Sequence, residues 1–256
     1  MKNKENILPV LKIKDLKKSF GENHVLNGFS MELFEGENLV IMGKSGSGKS
    51  VMIKCLVGLL QPDSGFIEIE GKNLVELKQQ ELNSLRTEIG FLFQGSALYD
   101  SMTVRENLEF PVRKRNINAA DKEIMVTSTL ESVGLKSAID LMPEELSGGM
   151  KKRVGIARAI AMNPKYLFCD EPNSGLDPKT AIVIDELIHE LTVEYQTTTI
   201  VVTHDMNSVM GIGEHIIFLH NGQKWWEGTK EEIITSKNVE LNEFIFASKF
   251  MKALKK

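Results

Sequence analysis

One loop constrains the fold of this chain more than any other stretch, and it reads Gly43-Lys44-Ser45-Gly46-Ser47-Gly48-Lys49-Ser50. It fits the pattern GxxxxGK followed by serine or threonine. It also lies between an apolar run and a predicted helix over residues 49–60, the context that a phosphate-binding loop requires. Glycines let backbone N–H groups curl around phosphate oxygens, and the helix start adds partial positive charge. Lys49 supplies a full charge for the β- and γ-phosphates, and the Ser50 hydroxyl is suited to bind Mg²⁺.

Two carboxylates follow a second apolar run. Residues 166–169 predict a buried strand, and Asp170 and Glu171 come directly after it. Ligand sites in α/β sheets form at such strand ends. Asp170 is suited to hold magnesium through a water, and Glu171 to polarise the attacking water as a general base. A solvated charge pair is the alternative, and the presence of the phosphate loop favours the functional interpretation.

A second anion-binding helix start is predicted near the middle of the chain. Ser147, Gly148 and Gly149 precede a helix, and their backbone N–H groups are suited to bind an anion. One nucleotide rarely needs two such clusters of anion-binding N–H groups. This stretch therefore indicates a site that is completed by a second subunit.

The ordered motifs resemble those of an ATP-binding-cassette ATPase over roughly residues 10–235: GKSGSGKS, Gln94, LSGGM, YLFCDEP, SGLD and His204. The resemblance implies that Phe20 stacks on adenine, where the family more often has tyrosine. It implies that Gln94 contacts magnesium and the attacking water, and that His204 contacts the γ-phosphate. Met150 departs from the family, which commonly has glutamine there, and this puts the polar network beside Ser147 in doubt.

The resemblance also assigns roles in a head-to-tail dimer. It implies that Ser147 and Gly149 bind the γ-phosphate of the nucleotide held by the opposite copy, and that the loop ending at Asp177 couples the two sites. The cofactors are therefore expected to be ATP and Mg²⁺. The predicted catalytic residues are Glu171, His204 and Gln94, and the predicted metal ligands are Ser50, Gln94 and Asp170. The predicted nucleotide-binding residues are Phe20, Gly43, Lys44, Ser45, Gly46, Ser47, Gly48, Lys49, Ser50, Ser147, Gly148, Gly149 and Asp177.

The alternation of short apolar strands with amphipathic helices predicts an α/β fold. We expect a P-loop NTPase core with a mixed, largely parallel sheet, an antiparallel β subdomain and a helical insert over about residues 95–162. Thr103 and Glu106 predict a capping box, and Asn221-Gly222 predicts a hairpin turn. A helical tail is expected over about residues 239–256. The whole chain, residues 1–256, is interpreted as a single ATPase domain.

Composition narrows the partners and the location. The 256 residues carry a net charge of -4, so no overall basic field recruits nucleic acid. No apolar run approaches the roughly 20 residues needed to cross a bilayer, and the N-terminal stretch lacks the apolar core of a signal peptide. We therefore expect a cytoplasmic protein, peripheral on the cytoplasmic face of the inner membrane. Cys55 and Cys169 are interpreted as buried thiols.

Within the resembling family, the expected function is the ATPase subunit of a transporter, working with a second copy of itself and with transmembrane permease subunits. LSGGM and the stretch QGSALYDSMTVRENLEFPV, residues 94–112, resemble the branch that serves phospholipid transporters with Mce-domain lipid-binding proteins. The alternatives are an importer ATPase for a small polar solute, a soluble non-transport cassette ATPase, and a regulatory nucleotide-binding module. Because Asp170 and Glu171 are both present, the regulatory alternative is disfavoured.

Two basic segments have no assigned role in this interpretation. Lys151, Lys152 and Arg153 are predicted to form a solvated helix face. Residues 249–256 are basic and mildly amphipathic, so they are suited to contact anionic lipid or a partner subunit. A frayed chain end is the alternative for that segment.

Overall fold

The computed structural model describes residues 8–113, 115 and 117–246. The chain divides into two compact units. The first comprises residues 1–82 and 201–256, and the second comprises residues 83–200.

The described residues form strands and helices in alternation, as the sequence pattern predicts. The strands are β1 (Leu11–Phe20), β2 (Asn23–Leu33), β3 (Asn38–Met42), β4 (Ser64–Ile69), β5 (Lys72–Asn73), β6 (Ile89–Leu92), β7 (Tyr166–Asp170), β8 (Thr198–Thr203), β9 (His215–His220) and β10 (Gln223–Gly228). The helices are α1 (Lys49–Leu56), α2 (Gln79–Arg86), α3 (Val104–Glu109), α4 (Ala119–Ser132), α5 (Gly148–Ile160), α6 (Pro178–Glu194), α7 (Met206–Ile212), α8 (Lys230–Thr235) and α9 (Val239–Ile245).

The first unit contains an antiparallel sheet in the order β2-β1-β4-β5. Leu11 of β1 lies opposite Leu33 of β2 and Ile69 of β4, and all three side chains are buried. The same unit pairs β3 in parallel with β9, and β9 antiparallel with β10. The turn between β9 and β10 is the predicted Asn221-Gly222 pair, with φ of 48° and 73°, which confirms the hairpin. Every residue of β3 is buried, so the phosphate loop starts from the core.

The second unit pairs β6 in parallel with β7 and contains helices α3 to α6. The capping box at α3 is confirmed, because Thr103 Oγ1 accepts from the Glu106 N–H at 3.2 Å and Glu106 accepts from the Thr103 N–H at 2.8 Å. One apolar stripe of α6 is buried and consists of Ile184, Leu187, Ile188 and Leu191. These elements and the parallel and antiparallel pairs confirm the predicted α/β class with an antiparallel β portion and helices.

One predicted helix end differs from the structure. Helix α1 ends at Leu56 and not at Leu60, because Gly58 adopts φ +66° and its N–H donates to Cys55 O. The C-terminal helix begins at Val239 as predicted and ends at Ile245, and residues 247–256 lie outside the described part. Among the described residues, no helix combines the length and the apolar character needed to cross a bilayer.

Buried Asn107 fixes the loop that joins β6 to α3. Its amide donates to the carbonyl groups of Tyr99, Met102 and Thr103 at 3.0–3.2 Å, and its Oδ1 accepts from the Tyr99 N–H at 2.9 Å. The side chain is fully buried, so water cannot replace these bonds.

We predict that Asn107→Ala lowers the free energy of unfolding by about 2–3 kcal/mol, because it removes the hydrogen bonds that a fully buried side chain makes to the backbone of this loop. Urea denaturation of the purified chain measures this change. Glu144→Ala, at an exposed position of the same unit, is the control and should change stability by about 0.5 kcal/mol or less. Equal effects of the two substitutions would contradict the role of Asn107.

Candidate nucleotide-binding residues

The phosphate loop approaches neighbouring backbone so closely that only glycine fits. A Cβ at Gly43 would lie 2.4 Å from Leu219 O and 2.7 Å from Ser47 Oγ. Gly48 has φ +105°, and a Cβ there would lie 2.8 Å from Val25 O. Gly43 and Gly48 are therefore required by the packing of the first unit as well as by the loop's curvature.

Lys49 lies at the first position of α1 and is only 4% exposed. Its Nζ donates to Gly43 O at 2.9 Å and to Lys44 O at 3.2 Å, so the ammonium folds back over the loop. Ser47 Oγ is buried without a hydrogen-bond partner among the described residues. A glycine-lined loop that holds an ammonium and a hydroxyl of this kind fits a phosphate group.

Phe20 ends β1 and its side chain is half exposed, which leaves the ring accessible for stacking. The Lys18 ammonium lies 5.5 Å from the ring centroid. Asp63 fixes this arrangement, since it accepts from Lys18 Nζ at 2.8 Å and from the Ser19 N–H at 2.6 Å. These hydrogen bonds, with Lys18 first, hold the pKa of Asp63 below its ordinary value. The ring is suited to stack on a planar base.

His204 follows β8 directly and is exposed. The next residue, Asp205, is the N-cap of α7, with its Oδ1 accepting from the Asn207 N–H at 2.8 Å and its own N–H donating to Thr203 Oγ1 at 3.1 Å. The turn that presents His204 is therefore fixed on both sides by side-chain hydrogen bonds.

In the second unit, β7 ends at Asp170, and Glu171 is the first residue beyond it. The two residues are only 3% and 7% exposed. The interpretation of this pair as solvated strand-end charges is therefore wrong. Glu171 has φ +49°, in the left-handed region that non-glycine residues seldom adopt. A strained backbone beneath a buried carboxylate is typical of a functional position.

Gln94 is exposed and contacts the loop after β7. Its Nε2 donates to Ser174 Oγ at 3.3 Å, and the Ser174 N–H donates to Glu171 O at 3.1 Å. The structure thus brings together Gln94 and Glu171, which the sequence places far apart and to which it assigns related roles.

The predicted anion-binding stretch Ser147-Gly148-Gly149, which we call the signature, lies at the start of α5. Ser147 is the N-cap, and its Oγ accepts from the Met150 N–H at 3.3 Å, so this bond uses the backbone of position 150 and not its side chain. A Cβ at Gly149 would lie 2.7 Å from Thr180 Cγ2, and one at Gly148 would lie 3.4 Å from Leu176 Cδ2. Gly149 therefore lets α5 pack closely against the start of α6.

Asp177 caps α6. It accepts from the N–H groups of Lys179 and Thr180 at 3.1 Å and from Thr180 Oγ1 at 2.5 Å. The Thr180 hydrogen bonds are the main reason that the pKa of Asp177 lies below its ordinary value. Its predicted role toward the nucleotide stays a prediction, and the structure adds a role in positioning α6.

The predicted solvated face of α5 is wrong at Lys152, which is only 5% exposed. Its Nζ donates to Gln94 O and to Glu171 O, and burial lowers its pKa. A sequence signal for this existed, because Lys152 lies three, four and seven residues before Gly155, Ile156 and Ala159, which are buried on the same helix. Arg158, six residues further along α5, was also missed. It donates to Ser96 O and Ala97 O at 2.8 Å each.

The predicted magnesium ligands are a hydroxyl of Ser50, a carboxylate of Asp170 and an amide oxygen of Gln94. These hard oxygen donors suit Mg²⁺, and the set contains one carboxylate because phosphate oxygens and water complete such sites. In the described part of the chain, no cluster of three histidine, cysteine or acidic residues could hold a metal ion. The predicted magnesium ligands stay a prediction.

Comparison with known proteins gives a matching family model and relatives that align with most of this chain. Residues 26–174 match the family model described as ABC transporter. The chain is 39% identical to the methionine import ATP-binding protein MetN of Campylobacter jejuni, over 94% of this chain and 77% of that protein. It is 36% identical to the chloroplastic protein TRIGALACTOSYLDIACYLGLYCEROL 3 of Arabidopsis thaliana, over 97% of this chain and 76% of that protein.

A solved structure extends the comparison to the fold. The dimeric post-hydrolysis state of the ATP-binding cassette MJ0796, bound to ADP and phosphate, superposes with a TM-score of 0.78 at 34% identity. The match covers 86% of this chain and 98% of that chain.

We predict that Gly48→Ala lowers the free energy of unfolding by about 2–4 kcal/mol, because the added methyl group meets Val25 O. Gly46→Ala is the matched control. Gly46 also has a left-handed φ, of +80°, but an added Cβ there meets nothing within 4 Å. It should therefore cost only the backbone strain, about 1–2 kcal/mol. Urea denaturation of both variants tests the difference, and equal losses would show that the close approach has no energetic weight.

Proposed function

Because this chain belongs to the ABC transporter family, we propose that it couples ATP hydrolysis to transport by separate transmembrane subunits, with phospholipid or a related lipid as the cargo. The chain is an ABC-type ATPase. The observation that carries the proposal is the phosphate loop of the first unit, in which glycine packing, a buried lysine and a buried serine hydroxyl combine.

The chain's own residues supply the chemistry as follows. Lys49 and the backbone N–H groups of the loop bind the phosphate oxygens. Glu171 holds the attacking water and accepts its proton as the water oxygen bonds to the γ-phosphorus and the bond to the leaving ADP oxygen breaks. Gln94 and His204 orient the water and the γ-phosphate. When bound, Mg²⁺ supplies positive charge that offsets the charge of the phosphate oxygens.

We propose that two copies of this chain bind ATP head to tail. Support comes from the exposed Ser147 and Gly148 at the start of α5, where backbone N–H groups suited to an anion lie outside the phosphate loop's own unit. The similar cassette MJ0796 is dimeric with ADP and phosphate bound. The negative charge of a nucleotide bound to these N–H groups would favour the dimer. Loss of the γ-phosphate would remove part of that charge and let the two copies separate.

A groove in the second unit is the proposed docking site for the transmembrane subunits. It has a volume of about 590 Å³ and is lined largely by apolar side chains, among them Phe91, Phe93, Tyr99, Phe110 and Met162. Ala97, three residues after Gln94, lines the same groove. A permease segment seated there would contact the loop that carries Gln94, and this continuity supports the assignment. Such docking would hold the chain on the cytoplasmic face of the inner membrane.

Two observations support a lipid cargo. LSGGM and residues 94–112 resemble the branch that works with Mce-domain proteins, which would make such a lipid-binding protein a further partner. The Arabidopsis relative carries the name of a glycolipid and matches 97% of this chain. The second candidate is an importer of a small polar solute, which the 39% identity to a methionine import protein favours.

We predict that Glu171→Gln lowers ATP turnover by about 100-fold or more, because an amide cannot accept the proton from water. The variant should keep its ATP affinity and accumulate as an ATP-bound dimer, which size-exclusion chromatography with MgATP measures. Glu186→Gln, at an exposed position on α6, is the matched control and should hydrolyse ATP normally. Near-normal turnover in Glu171→Gln would remove Glu171 from the role of base.

The cargo is tested by purifying the complex from its native membrane and identifying the proteins and lipids that accompany it. We expect a permease, an Mce-domain protein and bound phospholipid. Reconstituted ATPase activity should rise with phospholipid supply and be unaffected by methionine. A periplasmic solute-binding protein in the complex, with stimulation by a polar solute, would favour the importer.

A further inference from the structure

Lys152 is a buried cation that the mechanism above does not use. It lies on α5, five residues after the N-cap Ser147. A buried ammonium loses its hydration, so it persists only where the protein supplies hydrogen-bond acceptors. The acceptors identify what this lysine does.

Both acceptors are backbone carbonyl groups of residues assigned to the reaction. Lys152 Nζ donates to Gln94 O in a short bond and to Glu171 O at 3.4 Å. The side chain of Gln94 donates to Ser174 Oγ at 3.3 Å, and the Ser174 N–H donates to Glu171 O at 3.1 Å. The four residues therefore form a closed ring of hydrogen bonds, which we call the Lys152 ring: Lys152, Gln94, Ser174 and Glu171.

The same face of α5 holds the rest of the Gln94 loop. A Cβ at Gly155, three residues after Lys152, would lie 2.9 Å from Leu92 Cδ1 and 3.2 Å from Ser96 Cβ, so the helix backbone packs directly on this loop. Three residues further, Arg158 donates to the carbonyl groups of Ser96 and Ala97. Positions 152, 155 and 158 thus join one helix face to the loop, and only position 152 also reaches Glu171.

We propose that Lys152 is a positioning residue: its hydrogen bonds hold the backbone of Gln94 and of Glu171 at fixed positions relative to α5. This inference rests on the proposed function, since it assumes that the reaction is the ATP hydrolysis to which those two residues are assigned. The signature residues Ser147 to Gly149 lie at the start of α5, so a nucleotide bound there acts on the same rigid helix. Lys152 transmits the position of that helix to the carboxylate that activates water and to the glutamine beside it.

The proposal predicts a loss in kcat without a loss in ATP binding, because the ammonium contacts backbone carbonyl groups and no predicted nucleotide-binding atom. Lys152→Met removes the hydrogen bonds and keeps the apolar stem. We expect kcat to fall about 10- to 100-fold, as for the loss of hydrogen bonds to a charged group. KM for ATP and the affinity for a fluorescent ATP analogue should stay within about twofold.

Two further variants separate positioning from folding. Lys152→Gln keeps a hydrogen-bond donor without the charge, and it should recover a measurable part of the lost kcat. Lys151→Met, the neighbouring lysine with a more exposed side chain, is the matched control and should behave as wild type. If Lys152→Met fails to fold, Ser174→Ala opens the Lys152 ring from its other side, and the same selective loss in kcat is expected there.

The outcomes distinguish this inference from the proposed function. A wild-type complex without MgATP hydrolysis would refute the proposed function itself. An active wild type with Lys152→Met within twofold of its kcat would refute only the positioning role. A fall in kcat that matches the fraction of unfolded protein, measured by urea denaturation and active-site titration, would also overturn it.

Discussion

The close approach of the phosphate loop to two neighbouring strands is the constraint on which the first unit depends. Gly43 faces the carbonyl group of Leu219 in β9, and Gly48 faces that of Val25 in β2. Any side chain at either position would displace a strand, so the loop that would grip phosphate also fixes how β3 passes into α1. The same two glycines are therefore required both for phosphate binding and for packing in this part of the chain.

Signals confined to a few neighbouring residues predicted the structure well. The capping box of Thr103, the Asn221-Gly222 hairpin and the buried strand before the phosphate loop each depend on local conformational preference. The end of α1 was missed because Gly58 overrides a sequence that is otherwise compatible with helix.

The motif residues of the candidate site could be predicted from the sequence, whereas the contacts that hold these residues in place could not. The motif residues could be assigned from their order along the chain. The carbonyl groups that accept from Lys152 and the left-handed backbone of Glu171 depend on partners that are distant in sequence, so no local pattern encodes them. The prediction of a solvated face failed at Lys152 for that reason. The charge of Lys152 suggested exposure, whereas carbonyl groups from two separate loops compensate its burial.

Two cations on α5, the buried Lys152 and the partly exposed Arg158, lie where the backbone of the second unit is strained. Ser96 and Ala97 have φ of +62° and +47°, and Glu171 has +49°. Each such non-glycine conformation costs about 1–2 kcal/mol. The carbonyl groups of these three residues accept hydrogen bonds from Arg158 or Lys152. Charge-assisted hydrogen bonds of this kind are strong enough to offset the strain, which explains how the loops around Gln94 and Glu171 keep an otherwise unfavourable shape.

The two lysines that are buried in the described part of the chain differ in whether their hydrogen-bond partners can change. Lys49 donates to carbonyl groups of its own loop, and a triphosphate would offer charged oxygens that are better acceptors than neutral carbonyls. Its partners can therefore change when nucleotide binds. Lys152 donates to carbonyl groups held on two loops, and no predicted phosphate position competes for it. Lys49 is thus suited to change its hydrogen-bond partners when nucleotide binds. Lys152 is suited to keep Gln94 and Glu171 in a fixed position relative to α5.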